Sequence, residues 1–308
     1  MTRSLRHAVA VVVGAWALSL QPASGGAAGQ WDTASYANNP AINYADSTPS
    51  DAVSRLQQEI DSGTRTLSFR AGTGYLDSVL EALAVPTPSH LLVFSKTSFQ
   101  RDLISPENPR TLYFGSDAYV GFIPHAPLLE IASVDPVLGA IFYTLKQEEM
   151  PHPRFVRETT RCLQCHESLS ATAGVPGLIA PPPVAHIDSL ALKAFEHQTR
   201  VQNLITRLGY RTRMALAFDR IRNAEIGHPL DLVPPATAAL IAQEAEPLVQ
   251  ALLSTGLAPL IDSDAFDVLP APARNQVYSR LWSTLEPGGK AILTETRPDF
   301  AAWRAANE

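Results

Sequence analysis

Arg110-Thr-Leu-Tyr-Phe114, Ala118-Tyr-Val-Gly-Phe-Ile123, Leu128-Leu-Glu-Ile-Ala-Ser-Val134 and Leu138-Gly-Ala-Ile-Phe-Tyr-Thr-Leu145 follow one another along the chain. Each run is rich in β-branched and aromatic side chains, which suit a pleated, half-buried surface. The separators are turn formers: Gly115-Ser116-Asp117 makes a hairpin of the first two runs, and Asp135-Pro136 divides the last two. His90 to Phe94 adds a further apolar run upstream. Four or five strands this close together, with no helix between them, predict an antiparallel sheet. Lys146 to Pro153, polar and carrying two prolines, is expected to end it.

Outward from the sheet the pattern turns helical on both sides. Ser50 or Asp51 caps an amphipathic helix carrying Val53, Leu56 and Ile60, and Tyr75 to Ala84 forms a second helix stopped before Pro86. Thr66 to Arg70 alternates like a strand until Gly72 and Gly74 break it. The polar stretch Gln30 to Pro49, with its Asn-Asn-Pro and Ser-Thr-Pro turns, is expected to lie as an extended arm over the surface. From Ile187 onward, Leu190, Ala194, His197, Val201, Leu204 and Leu208 recur at helical spacing. Gly209 is placed to end or bend that helix and Met214 to Ile221 to resume it. Later helices are expected over Ala236 to Leu253, Ala273 to Leu285 and Arg297 to Ala306. The fold class is α+β: an N-terminal antiparallel sheet with flanking helices (29–150), an attachment segment (151–185) and a mainly helical C-terminal part (186–308).

Residues 1–28 have the form of a secretory signal peptide. Arg3 and Arg6 make a basic start, Ala8 to Leu20 an apolar run too short for a typical spanning helix, and Ala23 to Gly29 a small-residue cleavage region. The expected mature protein is periplasmic or otherwise exported, with no membrane span. Removing Arg3 and Arg6 leaves 22 basic against 30 acidic side chains, a formal net charge of −8. That balance excludes nucleic acid as a partner class, because phosphate binding draws on a positive surface.

The chemistry concentrates in Arg161-Cys-Leu-Gln-Cys-His-Glu167. Cys162 and Cys165 are the only two cysteines, and His166 follows the second directly. This is the C-x-x-C-H spacing of covalent c-type haem attachment: two thiols three positions apart reach one edge of a porphyrin, and the next imidazole lies under the ring as an axial ligand. Three other readings stand beside it. A thioredoxin-like dithiol wants a strand leading into a helix N-terminus, whereas the flank Arg157-Glu158 is charged and no apolar strand leads directly in. A zinc site wants further Cys or His pairs, and a disulfide would close only a very short loop. The Pro/Gly-rich stretch through Val175-Pro176-Gly177 and Pro181-Pro182-Pro183 either closes over a haem edge or is a plain connector.

For a sixth iron ligand the sequence nominates His197, which sits in an apolar stripe where an imidazole needs a partner. Met214 and Met150 are the remaining methionines after the initiator, and His152 lies ten residues before Cys162. His125, His186 and His228 look like loop residues. An iron with no sixth ligand stays open as well.

Several segments together resemble a family of uncharacterised exported bacterial proteins with a cytochrome c domain. They are Val93 to Gln100, Ile104-Ser105-Pro106, Asn108-Pro109-Arg110, Tyr119-Val120-Gly121, Val134-Asp135-Pro136, Thr160 to His166, Glu196-His197-Gln198 with Asn203 to Arg207, Asp264-Ala265-Phe266, and Val277 to Trp282. The resemblance implies haem binding at Cys162, Cys165 and His166. The family carries a longer stretch rich in Gly, Trp and His ahead of the Glu-His-Gln helix, and here a proline run stands in its place. The function expected is an exported single-haem c-type cytochrome, with haem c attached covalently, that exchanges electrons with a redox partner protein. The alternatives are a haem oxidoreductase with an open iron position and a haem-bearing subunit of a larger redox complex.

Overall fold

The computed structural model describes residues 35–182, 189–225, 233–254 and 259–307. The expected signal peptide lies outside them. Helix α1 (Ala52–Asp61) starts where Asp51 caps it: the carboxylate accepts from the backbone N–H groups of Val53 (2.9 Å) and Ser54 (3.3 Å). Val53, Leu56 and Ile60, three and four residues apart, form its buried face. Helix α2 (Leu76–Ala82) follows, and Val79 and Leu80 are buried.

The sheet is a meander of β1 (Leu91–Val93), β2 (Arg110–Phe114), β3 (Ala118–Phe122), β4 (Leu128–Asp135), β5 (Gly139–Lys146) and β6 (Phe155–Arg157), every neighbour antiparallel. Alternation sends its side chains into two separate cores. Val120, Leu129, Ile131, Ile141, Tyr143 and Leu145 pack with α1 and α2. Leu91, Val93, Leu112, Tyr119, Val134, Ala140 and Phe142 face the C-terminal helices. Between β4 and β5, Asp135 accepts from the backbone N–H groups of Val137 and Leu138, both at 2.8 Å, and Gly139 closes the turn at φ +76°. A residue without Cβ takes that conformation at no steric cost.

On the far side of the sheet, α3 (Leu163–His166) and α4 (Leu169–Thr172) are single turns. Helix α5 (Ser189–Glu225) is the longest element, and α6 (Pro235–Leu253), α7 (Asp264–Asp267), α8 (Ala271–Thr284), α9 (Pro287–Thr296) and α10 (Pro298–Asn307) complete the helical layer. Among the described residues no helix is long and apolar enough to cross a membrane.

The α+β class, the hairpin, and the later helices to within two residues are as expected; six details differ. The sheet does not end at Lys146–Pro153, because β6 adds a sixth strand beyond the prolines, its Phe155 paired with Leu145. Thr66–Arg70 is not a strand: only Arg70 pairs, with Gly74, closing a tight loop. The arm before Pro49 is no surface cover, since Tyr36, Ala37, Ile42 and Tyr44 are buried and the Tyr44 hydroxyl donates to the Ala140 carbonyl at 2.8 Å. Helix α5 runs through Gly209 without a break, because packing along its length outweighs the roughly 1 kcal/mol propensity cost of one glycine. Its buried face matches the expected stripe at Val201 and Leu208 but not in its first turns. Leu190 and Ala194 are exposed, and Leu192, Phe195 and Thr199 turn inward instead. Helix α9 was hidden behind Pro287-Gly288-Gly289, which looks like a turn but places proline at the first helical position, where its missing N–H costs nothing.

Candidate functional site

Strand β6 carries the chain to Arg161, whose guanidinium pairs with Glu158 at 2.9 Å and lies over the Phe99 ring at 4.3 Å. Cys162 is then the N-cap of α3, and its carbonyl accepts from the N–H groups of Cys165 (3.2 Å) and His166 (2.9 Å). One turn thus holds both thiols and the imidazole. Both cysteines are free; Cys165 is exposed, and Cys162 is half-buried against the core on the Phe142 side of the sheet. Burial first, and then the carboxylates of Glu158 and Glu130, push the Cys162 thiol up to about 12.

This bears on the dithiol alternative. Strand β6 lies ahead of the motif, ending at Arg157 with residues 158–161 between it and the Cys162 cap. A redox dithiol works through a thiolate of lowered pKa, however, and Cys162 is shifted the opposite way. A zinc centre finds no support either: among the described residues no group of three or more His, Cys, Asp or Glu side chains is placed to hold a metal ion.

The His166 ring packs on Phe142, centroids 4.5 Å apart, and its Nδ1 lies 2.8 Å from the Gly177 carbonyl oxygen. A carbonyl can only accept, so Nδ1 carries the proton and donates it, leaving the lone pair on Nε2. Burial holds the imidazole below the usual histidine range, which keeps the ring neutral.

That carbonyl is itself fixed. Residues 176–178 form a strap whose backbone groups are almost all engaged. Pro176 accepts from the Ala140 N–H at 3.0 Å, and the Gly177 N–H donates to the His166 carbonyl at 2.9 Å. Asn203 on α5 takes both groups of Leu178: its Oδ1 accepts from the N–H and its Nδ2 donates to the carbonyl, each at 2.8 Å. Position 177 has no room for a side chain, because a Cβ there would lie 2.5 Å from Asn203 Oδ1 and 2.8 Å from Thr172 Cβ. The stretch Val175-Pro176-Gly177 is therefore more than a plain connector; its Gly177 holds the imidazole. On the other flank, Glu167 accepts from the Ser35 hydroxyl at 2.7 and 2.8 Å and from the Ala37 N–H at 3.0 Å.

Sequence reasoning missed Arg110 and Glu130. They form an ion pair at 3.3 Å on the Phe142 face of the sheet, and both charges act on Cys162 and His166. Glu130 also accepts from the Ser98 hydroxyl at 2.6 Å, and Arg110 Nε is buried without a hydrogen-bond partner. The signal available was their place on β2 and β4, at positions whose alternation points to a core. The other nominated ligands lie elsewhere. Met150 and Met214 pack against the core on the α1 side of the sheet, and His152 is exposed. His197 is half-buried beside exposed Glu196, and burial followed by the Arg200 charge lowers its pKa. His125 takes a left-handed turn conformation, and His186 and His228 lie outside the described residues.

The residues present fit a covalently attached haem. An exposed and a half-buried thiol stand on one turn, and the next side chain is a neutral imidazole whose outer nitrogen is held by a carbonyl, as metal-ligating histidines are. Comparison with known protein families, curated proteins and solved structures finds no match to this chain.

Proposed function

We propose that this chain is an exported, single-haem c-type cytochrome that transfers electrons, with haem c attached at Cys162 and Cys165 and ligated by His166. The observation that carries the reading is the Nδ1-to-Gly177 hydrogen bond at 2.8 Å, which leaves Nε2 as the only basic nitrogen of a neutral ring. Bound haem would supply an iron that alternates between two oxidation states. The chain's own part is to hold the proximal imidazole in one tautomer and one orientation, to raise its basicity through the carbonyl, and to exclude water on the Phe142 side. Exposure of Cys165 leaves the attached edge at the surface, where a partner protein can approach it. The basic, apolar and small-residue sections of 1–28 support export, which places the chain where bacterial haem attachment occurs.

A second reading, a haem oxidoreductase with an open iron position, draws on the placement of Met150 and Met214 in the other core. One preparation tests both. The full chain is expressed with cytochrome c maturation machinery beside Cys162→Ala/Cys165→Ala, and a denaturing gel is stained for haem. Stain on the wild-type band alone is expected. No stain on exported, folded chain refutes the proposal. Rapid carbon monoxide binding by the reduced protein would select the oxidoreductase, and a six-coordinate spectrum the carrier.

A further inference from the structure

We infer that Asn203, on a helix remote in sequence from the attachment motif, is the positioning residue that sets the hydrogen bond of the His166 imidazole; the inference rests on the haem reading. The chain of contacts is short and continuous. Asn203 holds both backbone groups of Leu178, and the adjacent Gly177 holds His166 through both of its own: its N–H on the His166 carbonyl and its carbonyl on Nδ1. An amide side chain can do this because it offers an acceptor and a donor in one plane, matching a peptide unit on both counts. No apolar residue of the same size, and no carboxylate, can match both. Asn203 is buried, so its side chain has no water to fall back on, and both bonds persist. Gly177 completes the fit, since any Cβ would strike Asn203 Oδ1.

With haem bound, the strength of the Nδ1 bond governs how much electron density the ligand gives the iron. A firm bond favours the more oxidised iron, and a slack one favours the reduced. Asn203 thereby tunes the reduction potential without touching haem or imidazole.

The test uses the haem-loaded full chain and two variants on the same helix. Asn203→Ala frees Leu178. Gln198→Ala removes a side chain that also makes several hydrogen bonds, to the Gly115 and Ser116 carbonyls and the Tyr119 hydroxyl, but holds no part of the strap. Asn203→Ala is expected to raise the reduction potential and to speed exchange of the His166 Nδ1 proton seen by NMR. Gln198→Ala is expected to lower the thermal midpoint and leave both unchanged. Asn203→Asp, which keeps the acceptor and loses the donor, should fall between wild type and alanine. An Asn203→Ala protein that is folded and haem-loaded, with unaltered potential and proton exchange, overturns the inference. If no haem attaches, the haem reading has failed, and the strap is read separately from the ring nitrogen shifts of His166. A single Nδ1-protonated form in wild type and a tautomer mixture in Asn203→Ala would uphold Asn203 as the residue that positions the ring; identical shifts would refute that too.

Discussion

Gly139→Ala is the sharpest single probe of how the sheet supports the strap. Three costs arise at this position. The backbone sits at φ +76°, where an L-residue loses about 1–2 kcal/mol to the clash of its own Cβ. A new Cβ would also stand 2.5 Å from Thr206 Cγ2 and 2.8 Å from the Pro176 carbonyl oxygen, an overpacking worth about 1–3 kcal/mol. Moving Pro176 aside would strain its bond from the Ala140 N–H, worth about 1 kcal/mol. A loss of about 3–6 kcal/mol is expected, measured by urea denaturation followed by circular dichroism. In a chain of this size that is a fall in thermal midpoint of roughly 5–10 °C. Adding Thr206→Ala removes the nearest obstacle and should return about 1–2 kcal/mol, while the backbone cost remains. A Gly139→Ala loss below about 1 kcal/mol, or a double variant whose losses merely add, would show that the turn, Thr206 and the strap are not in the contact described.

Other outcomes follow from neighbouring features. Asp51→Ala should cost about 2–4 kcal/mol, because it uncaps α1 and leaves the Tyr143 hydroxyl, now 2.6 Å from Asp51 Oδ2, buried without a partner. Adding Tyr143→Phe should recover about 1 kcal/mol of that loss in chemical denaturation, and no recovery would discount the pair. In haem-free protein at pH 8, iodoacetamide followed by mass spectrometry should label exposed Cys165 rapidly and Cys162 slowly, since the Cys162 thiol is pushed up to about 12. The same shift fixes a pH trend. A group whose folded pKa lies above its unfolded value stabilises fully below the unfolded value, 9.0 for this thiol, and loses that contribution as pH climbs through the folded one. Burial raises the Tyr44, Tyr119, Tyr143 and Tyr278 hydroxyls in the same sense, so stability should fall steadily above about pH 9; a flat alkaline limb would contradict these shifts.

The strands were legible in the sequence because period-two alternation and turn residues are local signals, and the meander needs no crossover. The turn over Cys162 to His166 was legible for the same reason, its three side chains lying within five residues. What surrounds that turn was not. Gly177 looks like a loop glycine and Asn203 like a polar residue on a helix; only the fold brings an amide, a carbonyl and an imidazole into line across 37 residues. Arg110 and Glu130 were overlooked because charged residues in strands are expected to face solvent. The α5 stripe held at Val201 and Leu208 but failed at Leu190 and Ala194, and between Val201 and Tyr210 the helix is enclosed on most of its circumference, so apolar residues there no longer mark one face. The buried arm failed because four apolar side chains were averaged away among asparagines and prolines.

The arm has a consequence for the order in which the molecule is made. Ser35 and Ala37 leave the ribosome early, yet the carboxylate they hold belongs to Glu167, 132 and 130 positions later. Tyr44 waits likewise for the carbonyl of Ala140. Contacts spanning so much chain form late, because loop closure must come before the reward. During synthesis the motif is therefore an unclamped stretch, open to any enzyme that modifies its thiols. Once Glu167 is complete and the arm docks, that period ends: Ser35 and Ala37 act as the final latch on a turn that began unclamped.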